Sequence, residues 1–138
     1  MKILVGCPTS NHKEYSINEY LNGIKNLNYR NFDLILVDNS EDNNYFNKLK
    51  SLGINVIKGK YFESAKDRVI NSRNILREYF LNNDYDYLLS LEQDVVPPSN
   101  VIEKLLEHNK EVTGALSLRI PSTTLKRTRE RSDNLATS

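Results

Sequence analysis

The stretch YDYLLSLEQDVVPPSN, residues 85–100, decides how this chain folds. Within it, Tyr87–Leu91 is mostly apolar and short enough to be a strand buried on both faces. Glu92–Asp94 follows directly, and Pro97 and Pro98 separate this acidic turn from a predicted helix. In an open α/β sheet, ligands bind at the carboxyl ends of the strands. The stretch therefore predicts a buried strand with a polar ligand site at its end.

Glu92 and Asp94 place two carboxylates two residues apart at the end of that strand. Removing two carboxylates from water is costly unless a positive group lies between them. Hard oxygen ligands suit Mg²⁺ or Mn²⁺, and such an ion can carry a phosphate-bearing ligand. The other interpretation is that both side chains are solvated loop acids that lead into a helix. The spacing alone leaves both interpretations open.

The rest of the chain alternates between predicted strands and amphipathic helices. The connections are too long for hairpins, which favours parallel strands joined by right-handed crossovers. A chain of 138 residues is long enough to cover a sheet on both faces. We therefore predict an α/β fold, a Rossmann-like three-layer sandwich around a mostly parallel sheet. The other predicted strands are Ile3–Val5, Phe32–Val37, Ile54–Ile57 and Val112–Leu118.

The helices between these strands carry start and stop signals. Ser10 and Asn11 can cap the first helix, and Glu14 lies three residues after Asn11, as in a capping box. Gly53 is expected to end the second helix as its C-terminal cap. Ser64 is expected to cap the third helix. The predicted inward face of that helix consists of Val69, Leu76, Tyr79 and Phe80.

Composition and charge exclude several classes of protein. Residues 1–118 carry 14 basic and 16 acidic side chains, so nucleic acid is not a predicted partner. The single cysteine, Cys7, excludes an internal disulfide and fits a reducing compartment. No apolar run reaches membrane-spanning length, and Met1 and Lys2 lead directly into a strand rather than a signal peptide. We therefore expect a cytoplasmic protein.

We expect one domain over residues 1–120 and a separate segment over residues 121–138. Beyond Pro121 the chain is rich in Ser, Thr and Arg and loses its hydrophobic periodicity. This segment is interpreted either as a basic polar tail or as the truncated start of a further half. Two associations are left open, one with a membrane surface through the tail and one with a second copy through an open sheet edge.

The predicted strand ends supply the candidate binding residues. Asp38 can accept a hydrogen bond from a base or a ribose hydroxyl, and Thr9 and Asn11 add neutral hydrogen bonds. Arg68 and Arg73, on the helix before the acidic strand, can clamp phosphate oxygens. Together these residues predict a nucleotide pocket, with the base near the first two strands and the diphosphate and metal at the fourth. The plainer interpretations are a helix cap for Asp38 and a solvent-facing side chain for Arg73.

Motifs of other nucleotide-binding and switch domains are missing from the sequence. It contains neither G-x-G-x-x-G after the first strand nor G-x-x-x-x-G-K-[ST], and it has five glycines in all. Dinucleotide and P-loop sites need such glycines so that the backbone can approach the phosphates. The first strand ends in Gly6, Cys7 and Pro8 rather than in the acidic pair of a phosphoacceptor domain.

Four segments, in this order, carry a resemblance to a known family. ILVGCPTSN (3–11) is similar to a first strand followed by P-T-x-N, and LNYRNFDLILVDNSED (27–42) to Q-T-Y-x-N-F-E-I-I-V-V-D-D-G-S-x-D. NSRNI (71–75) is similar to A-R-N-x-G, and DYLLSLEQDVVPP (86–98) to a strand that ends in a metal-binding D-x-D motif. Residues 1 to about 118 thus resemble the nucleotide-sugar-binding half of a GT-A-fold glycosyltransferase of the family-2 type.

This resemblance implies a donor site for a nucleotide-diphosphate sugar, with UDP favoured over GDP. Thr9 and Asp38 would contact the base or ribose, and Arg73 would face the pyrophosphate. Glu92 and Asp94 would hold Mn²⁺ or Mg²⁺, which would stabilise the leaving nucleoside diphosphate. The complete set of expected nucleotide-binding residues is Pro8, Thr9, Asn11, Asp38, Arg73 and Gln93.

The chain departs from the family pattern at several positions. Glu92 replaces the first aspartate of D-x-D, and Asp38–Ser40 is one residue shorter than the usual D-D-G-S turn. The family's acceptor half and general base follow the fifth strand, so no catalytic base is assigned here. The implied function is transfer of a sugar to an unknown glycan, lipid or protein acceptor. The alternative is a non-catalytic nucleotide-binding module, or a fragment that lacks the acceptor half.

Overall fold

The computed structural model describes residues 1–109, 115–117 and 123–127 of the chain. The elements follow in the order β1 (Ile3–Thr9), a 3-10 helix (Asn11–Ser16), α1 (Ile17–Lys25), β2 (Phe32–Asp38), α2 (Asn44–Ser51), β3 (Val56–Lys58), α3 (Ala65–Asn82), β4 (Tyr87–Leu91), α4 (Val101–Asn109), β5 (Ala115–Ser117) and β6 (Thr123–Arg127). Over these described residues, no helix combines the length and the apolar character needed to cross a membrane.

The strands form one sheet in the order β3-β2-β1-β4-β6-β5. β3, β2, β1 and β4 run parallel, whereas β6 is antiparallel to both β4 and β5. The predicted α/β fold with a mostly parallel sheet is confirmed. Because parallel strands end at the same edge of a sheet, the turns after β1, β2, β3 and β4 lie side by side.

Two apolar clusters, one on each face of the sheet, form the core. α1, α2 and α4 pack on one face, against residues such as Val5 and Leu89. α3 packs on the other face, against the alternate residues Leu4 and Leu88. Successive strand residues point to opposite faces, so each central strand contributes to both clusters. The result is the predicted three-layer, Rossmann-like sandwich.

Gly6 allows α3 to lie very close to β1. A Cβ atom on Gly6 would be 2.4 Å from the carbonyl oxygen of Ile35 and 2.9 Å from Leu76 Cδ1. A side chain at this position would therefore push α3 away from the sheet. Arg73 lies one turn before Leu76 on α3, so this close packing also positions Arg73 relative to the strand ends.

The predicted helix ends at Gly53 and Ser64 are confirmed. Gly53 has a φ of 81°, the left-handed conformation that ends α2 without strain in a glycine. The Ser64 hydroxyl accepts a hydrogen bond from the N–H of Asp67 at 3.4 Å and caps α3. The inward position predicted for Val69 is wrong, since this side chain is exposed. Ser72 already contacts Asn39, just after β2, so the earlier turns of α3 extend past the sheet edge.

The capping box predicted at Asn11 and Glu14 is also wrong. Ser10 is the N-cap of the 3-10 helix and makes no side-chain capping hydrogen bond. The backbone N–H of Asn11 donates to the Ser40 hydroxyl at 2.8 Å, and the Glu14 carboxylate pairs with Lys48. Both members of the predicted box are thus engaged with the β2–α2 region instead of with each other.

Thr123–Arg127 forms a strand, β6, within the segment that is interpreted either as a tail or as the start of a further half. In this strand, Leu125 pairs with Leu89 of β4. Strand pairing uses backbone groups, which composition does not reveal. The predicted strand Val112–Leu118 is observed over Ala115–Ser117. Residues 112–114, 118, 121–122 and 128–138 lie outside the described residues, and the domain boundary at residue 120 stays a prediction.

Candidate functional site

The register of the sheet brings the predicted site residues to one edge. Thr9 at the end of β1 pairs with Asp38 at the end of β2, and Asp38 pairs with Lys58 at the end of β3. On the other side of β1, β4 ends at Leu91, and Glu92–Asp94 continue beyond it. The turns that contain the candidate residues are therefore neighbours in space, although they are far apart in sequence.

Asp38 is fully buried, and both of its carboxylate oxygens accept hydrogen bonds. Oδ1 accepts from the Ser40 backbone N–H at 3.0 Å and from the Ser40 hydroxyl at 2.7 Å. Oδ2 accepts from Lys58 Nζ at 3.0 Å. Asp38 therefore holds the turn that follows β2. It does not cap α2, whose N-cap is Asn43.

Lys58 is the cation that balances the buried Asp38 carboxylate. Its ammonium group also donates to the carbonyl oxygens of Ser40 and Asp42, each at 2.7 Å. An ammonium group has three donors, and all three are used here. No role was predicted for Lys58 from the sequence. The signal for its role is a lysine that directly follows the apolar residues of a buried strand, because such a cation needs an acidic partner.

Gln93 joins the end of β4 to three other elements. Its side chain is buried, and its Oε1 accepts a hydrogen bond from the Thr9 hydroxyl. Its Nε2 donates to the carbonyl oxygen of Lys13 at 2.6 Å and to the Tyr45 hydroxyl at 3.1 Å. Gln93 thus ties together β1, the 3-10 helix and α2 beneath the strand ends. For Tyr45, the only signal in the sequence is its place on the apolar face of α2.

Glu92 and Asp94 each form an ion pair, but with cations from opposite faces of the sheet. Glu92 Oε1 lies 3.3 Å from Arg73 Nη2 of α3. Asp94 Oδ2 lies 3.3 Å from Lys13 Nζ of the 3-10 helix. The hydrogen bond to Asp94 raises the pKa of Lys13, which keeps this side chain protonated. The turn after β4 therefore gathers two carboxylates and two cations.

The predicted binding residues divide into a buried floor and an exposed rim. The floor consists of Thr9, Asp38 and Gln93, whose exposed fractions are 3%, 0% and 3%. The rim consists of Asn11, Arg73, Glu92 and Asp94, which all reach solvent. In this conformation the floor residues act on the site through the turns they hold, whereas the rim side chains reach solvent. Pro8 is partly exposed and lies within β1, paired with Val37.

Arg68 does not join Arg73 at the rim. Its guanidinium group donates to the carbonyl oxygens of Phe62 and Glu63 and lies 5.1 Å from the centre of the Tyr61 ring. Arg68 therefore fixes the loop between β3 and α3, whereas Arg73 reaches the turn after β4 and pairs there with Glu92.

Cys7 lies in the core below the site and is protected from reaction. Burial raises the pKa of its thiol to about 12, and the nearby Glu92 and Asp94 charges raise it further against the opposing hydrogen bond with Tyr20. The Tyr20 hydroxyl lies 3.8 Å from the sulfur and donates to the carbonyl oxygen of Leu91 at 2.9 Å. A thiolate is the nucleophilic form of cysteine, and burial of Cys7 disfavours it.

The donor set at the turn after β4 suits a divalent cation that arrives with a ligand. Among the residues that the structure describes, no three His, Cys, Asp or Glu side chains are grouped so that they could hold a metal. Mg²⁺ typically takes one or two carboxylates and completes its shell with water and substrate phosphates. Glu92 and Asp94 supply two hard oxygen ligands of this kind.

The chain is similar in structure to several nucleotide-dependent enzymes. For TarS of S. aureus (residues 1–349), the identity is 18% and the TM-score 0.65, over 97% of this chain and 49% of that chain. For a mannosyltransferase of Pyrobaculum calidifontis in complex with GDP-Man and Mn²⁺, the identity is 14% and the TM-score 0.71, over 97% of this chain and 46% of that chain. For a CMP:2-keto-3-deoxy-manno-octonic acid synthetase complexed with CTP, the identity is 12% and the TM-score 0.64, over 99% of this chain and 78% of that chain.

These similarities establish a GT-A-like fold for the chain. The chain spans about half the length of the first two proteins, 49% and 46%. TarS has also been solved in complex with UDP and with UDP-GlcNAc. No protein-family model and no curated protein matches the sequence. At 12–18% identity the three similarities describe the architecture of this chain, and its chemistry has to be argued from its own side chains.

Proposed function

We propose that this chain is the donor-binding part of a metal-assisted glycosyltransferase that uses a nucleotide-diphosphate sugar. One observation carries the proposal: the turn after β4 combines two carboxylates, Glu92 and Asp94, with two cations, Arg73 and Lys13. Carboxylates suit a divalent cation, and an arginine suits phosphate oxygens. The GT-A-like fold supports the proposal, because proteins of this architecture have been solved with UDP-GlcNAc and with GDP-Man.

The base and ribose of the donor are proposed to lie at the turns after β1 and β2. Asn11 is exposed there, and its backbone N–H is fixed by the Ser40 hydroxyl. Asp38 holds the same turn from below, so its proposed contribution to base binding is made through Ser40 and the turn backbone. UDP is the proposed nucleotide, in keeping with the resemblance over residues 1 to about 118.

The diphosphate is proposed to lie over the turn after β4. Arg73 is 61% exposed in its side chain, which leaves its guanidinium group open to phosphate oxygens. Asp94 is more exposed than Glu92, so Asp94 is the proposed direct metal ligand and Glu92 the supporting one. A cation bound there would neutralise charge that develops on the departing nucleoside diphosphate.

In the proposed reaction the acceptor oxygen attacks the anomeric carbon while the bond from that carbon to the donor phosphate breaks. The described residues supply the donor side of this reaction. Arg73 stabilises the negative charge that the diphosphate gains as it leaves, and the floor residues hold the turns in place so that no reorganisation is needed. The acceptor is a glycan, lipid or protein hydroxyl group, and the general base belongs to the acceptor side.

A second candidate function is nucleotide binding without sugar transfer. The observation that favours it is the structural similarity to a synthetase complexed with CTP, which indicates that this architecture also serves other nucleotide chemistry. CTP therefore belongs among the ligands to be measured.

Calorimetric titration of the purified chain with UDP, GDP and CTP, each with and without Mn²⁺, tests the proposal. With Mn²⁺ present, we expect UDP to bind more tightly than GDP or CTP. Without Mn²⁺, we expect UDP to bind only weakly. Loss of binding in Asp94→Ala and a larger loss for UDP than for uridine in Arg73→Ala would support the assigned roles. No Mn²⁺-dependent binding of any nucleotide diphosphate would overturn the proposal. Binding of UDP without hydrolysis or transfer of UDP-sugars would favour the second candidate.

A further inference from the structure

The four charged side chains after β4 form two separate pairs that approach from opposite layers of the sandwich. Arg73 extends from α3 on one face and meets Glu92 at 3.3 Å. Lys13 extends from the 3-10 helix on the other face and meets Asp94 at 3.3 Å. The two carboxylates belong to one turn, so the two cations flank it. Arg73 has a proposed ligand, whereas no partner other than Asp94 has been assigned to Lys13.

The backbone of Lys13 is anchored by several hydrogen bonds, while its side chain is held by an exposed ion pair with Asp94. Its carbonyl oxygen accepts from Gln93 Nε2 at 2.6 Å and from the Ser16 hydroxyl at 2.9 Å. Its N–H donates to the carbonyl oxygen of Ser10 at 2.9 Å. The side chain, in contrast, is 41% exposed, and that of Asp94 is 47% exposed. An exposed ion pair is weak and exchanges readily. Consecutive residues, Gln93 and Asp94, thus hold the main chain and the ammonium group of Lys13 beside the turn.

The charges of this cluster match those of a nucleotide sugar bound with a divalent cation. The two carboxylates carry two negative charges and the two cations two positive charges, so the free cluster is neutral. A divalent cation on Glu92 and Asp94 balances the carboxylates and leaves Arg73 and Lys13 without counter-ions. The diphosphate of a nucleotide sugar carries two negative charges, which these two side chains can balance. The cluster therefore stays neutral if the cations exchange partners.

We propose that Lys13 binds the donor diphosphate and exchanges to it from Asp94 when the metal is bound. This inference rests on the proposed function. It adds Lys13, which lies outside the segments whose resemblance implies binding of the metal and the pyrophosphate. Lysine suits such an exchange because its ammonium group is a compact charge on a flexible stem. Because Arg73 and Lys13 flank the turn after β4, they approach the diphosphate from its two sides.

Titration of Lys13→Met with UDP and with uridine, each with and without Mn²⁺, tests this inference. Lys25→Met is the matched control, because Lys25 borders a groove with Phe32 at the start of β2, on the opposite edge of the sheet. We expect Lys13→Met to bind UDP about tenfold more weakly in the presence of Mn²⁺ and to bind uridine as the wild type does. Without Mn²⁺ the effect on UDP should be smaller, because Lys13 is then still paired with Asp94. Lys13→Arg keeps the charge and should lose no more than about threefold.

The outcomes separate this inference from the proposed function. If the wild type binds UDP with Mn²⁺ and Lys13→Met matches Lys25→Met, the exchange is overturned and the proposed function stands. Tighter Mn²⁺-dependent binding in Lys13→Met would also overturn it, since Lys13 would then act only as a competitor for Asp94. A wild type without Mn²⁺-dependent binding would overturn both. If the variants melt at the same temperature as the wild type, their weaker binding of UDP comes from a change at the site and not from a loss of folding.

Discussion

Lys58 neutralises Asp38, a carboxylate that has no contact with solvent, across 3.0 Å at the ends of two neighbouring strands. The other ion pairs at the site lie at the surface, whereas this one fixes the turn between β2 and α2 from below. The Lys58 ammonium group also donates to the carbonyl oxygens of Ser40 and Asp42 and so connects this turn to β3.

Lys58→Met should destabilise the protein by roughly 3 kcal/mol, because it leaves a buried carboxylate without its cation. Urea denaturation at neutral pH measures this loss directly. Lys104→Met, on the exposed side of α4, is the control and should change the free energy of unfolding by less than about 0.5 kcal/mol. Equal stabilities of the two variants would mean that Asp38 does not depend on Lys58.

Gln93→Leu should cost about 2 kcal/mol of stability, because it removes hydrogen bonds to buried partners on three elements. Besides lowering the overall stability, the substitution should destabilise the segments that contact Gln93. Amide hydrogen exchange of the 3-10 helix should accelerate more than that of α3, which Gln93 does not contact. Asn47→Leu, at an exposed position of α2, serves as the control. Uniform acceleration over both segments would contradict the anchoring role of Gln93.

Cys7 should make stability fall at alkaline pH. Its pKa is about 12 in the folded protein and has an ordinary value of 9.0, so the unfolded chain loses the proton first. The stabilisation from this group is therefore fully present below about pH 9 and is lost as the pH rises toward about 12. Between about pH 8 and pH 10.5 the wild type should lose about 2 kcal/mol more than Cys7→Ala. Parallel pH profiles of the two proteins would contradict this prediction.

Gly6→Ala should destabilise the protein by roughly 2–3 kcal/mol, because the new methyl group meets the Ile35 carbonyl and Leu76. Gly53→Ala is the comparison, since no atom lies within 4 Å of its Cβ position and only the positive φ opposes the change. It should cost about 1 kcal/mol. Thermal unfolding of both variants gives the two values. If Gly6→Ala is the milder change, α3 does not depend on close contact with β1.

The sequence predicts the layers of this fold well because periodicity reports burial. The apolar residues of β1, β2, β4 and the helices are those that the core requires, and the glycine and serine signals at Gly53 and Ser64 mark real helix ends. Backbone pairing is less visible in a sequence. Thr123–Arg127 has no apolar alternation, yet it lies in the sheet beside β4. Val69 fits the period of α3 but lies beyond the sheet edge, where no strand covers it.

The sequence predicts which residues lie at the strand ends, but it does not predict which side chains pair with each other there. Asp38, Glu92 and Asp94 follow apolar strands, which a sequence reveals, and parallel strands bring them to one edge. The choice of partner depends on tertiary packing. Nothing in the local sequence indicates that Gln93 lies beneath Thr9, or that Lys13 and Lys58 each meet a carboxylate from another element. Side-chain pairing between distant segments is set by the register of the sheet, and local patterns do not contain it.

The hydrogen bond between Thr9 and Gln93 closes a loop of 84 residues, and it has a consequence for the time course of folding. Contacts at such separation form slowly, because the entropy of loop closure has to be overcome before they stabilise anything. While the turn after β4 is undocked, Glu92, Gln93 and Asp94 are missing from the strand ends, and the proposed binding site is incomplete. A bound nucleotide would therefore recognise only fully folded molecules and would draw the population toward them by mass action. The yield of folded protein would then rise with the concentration of the ligand.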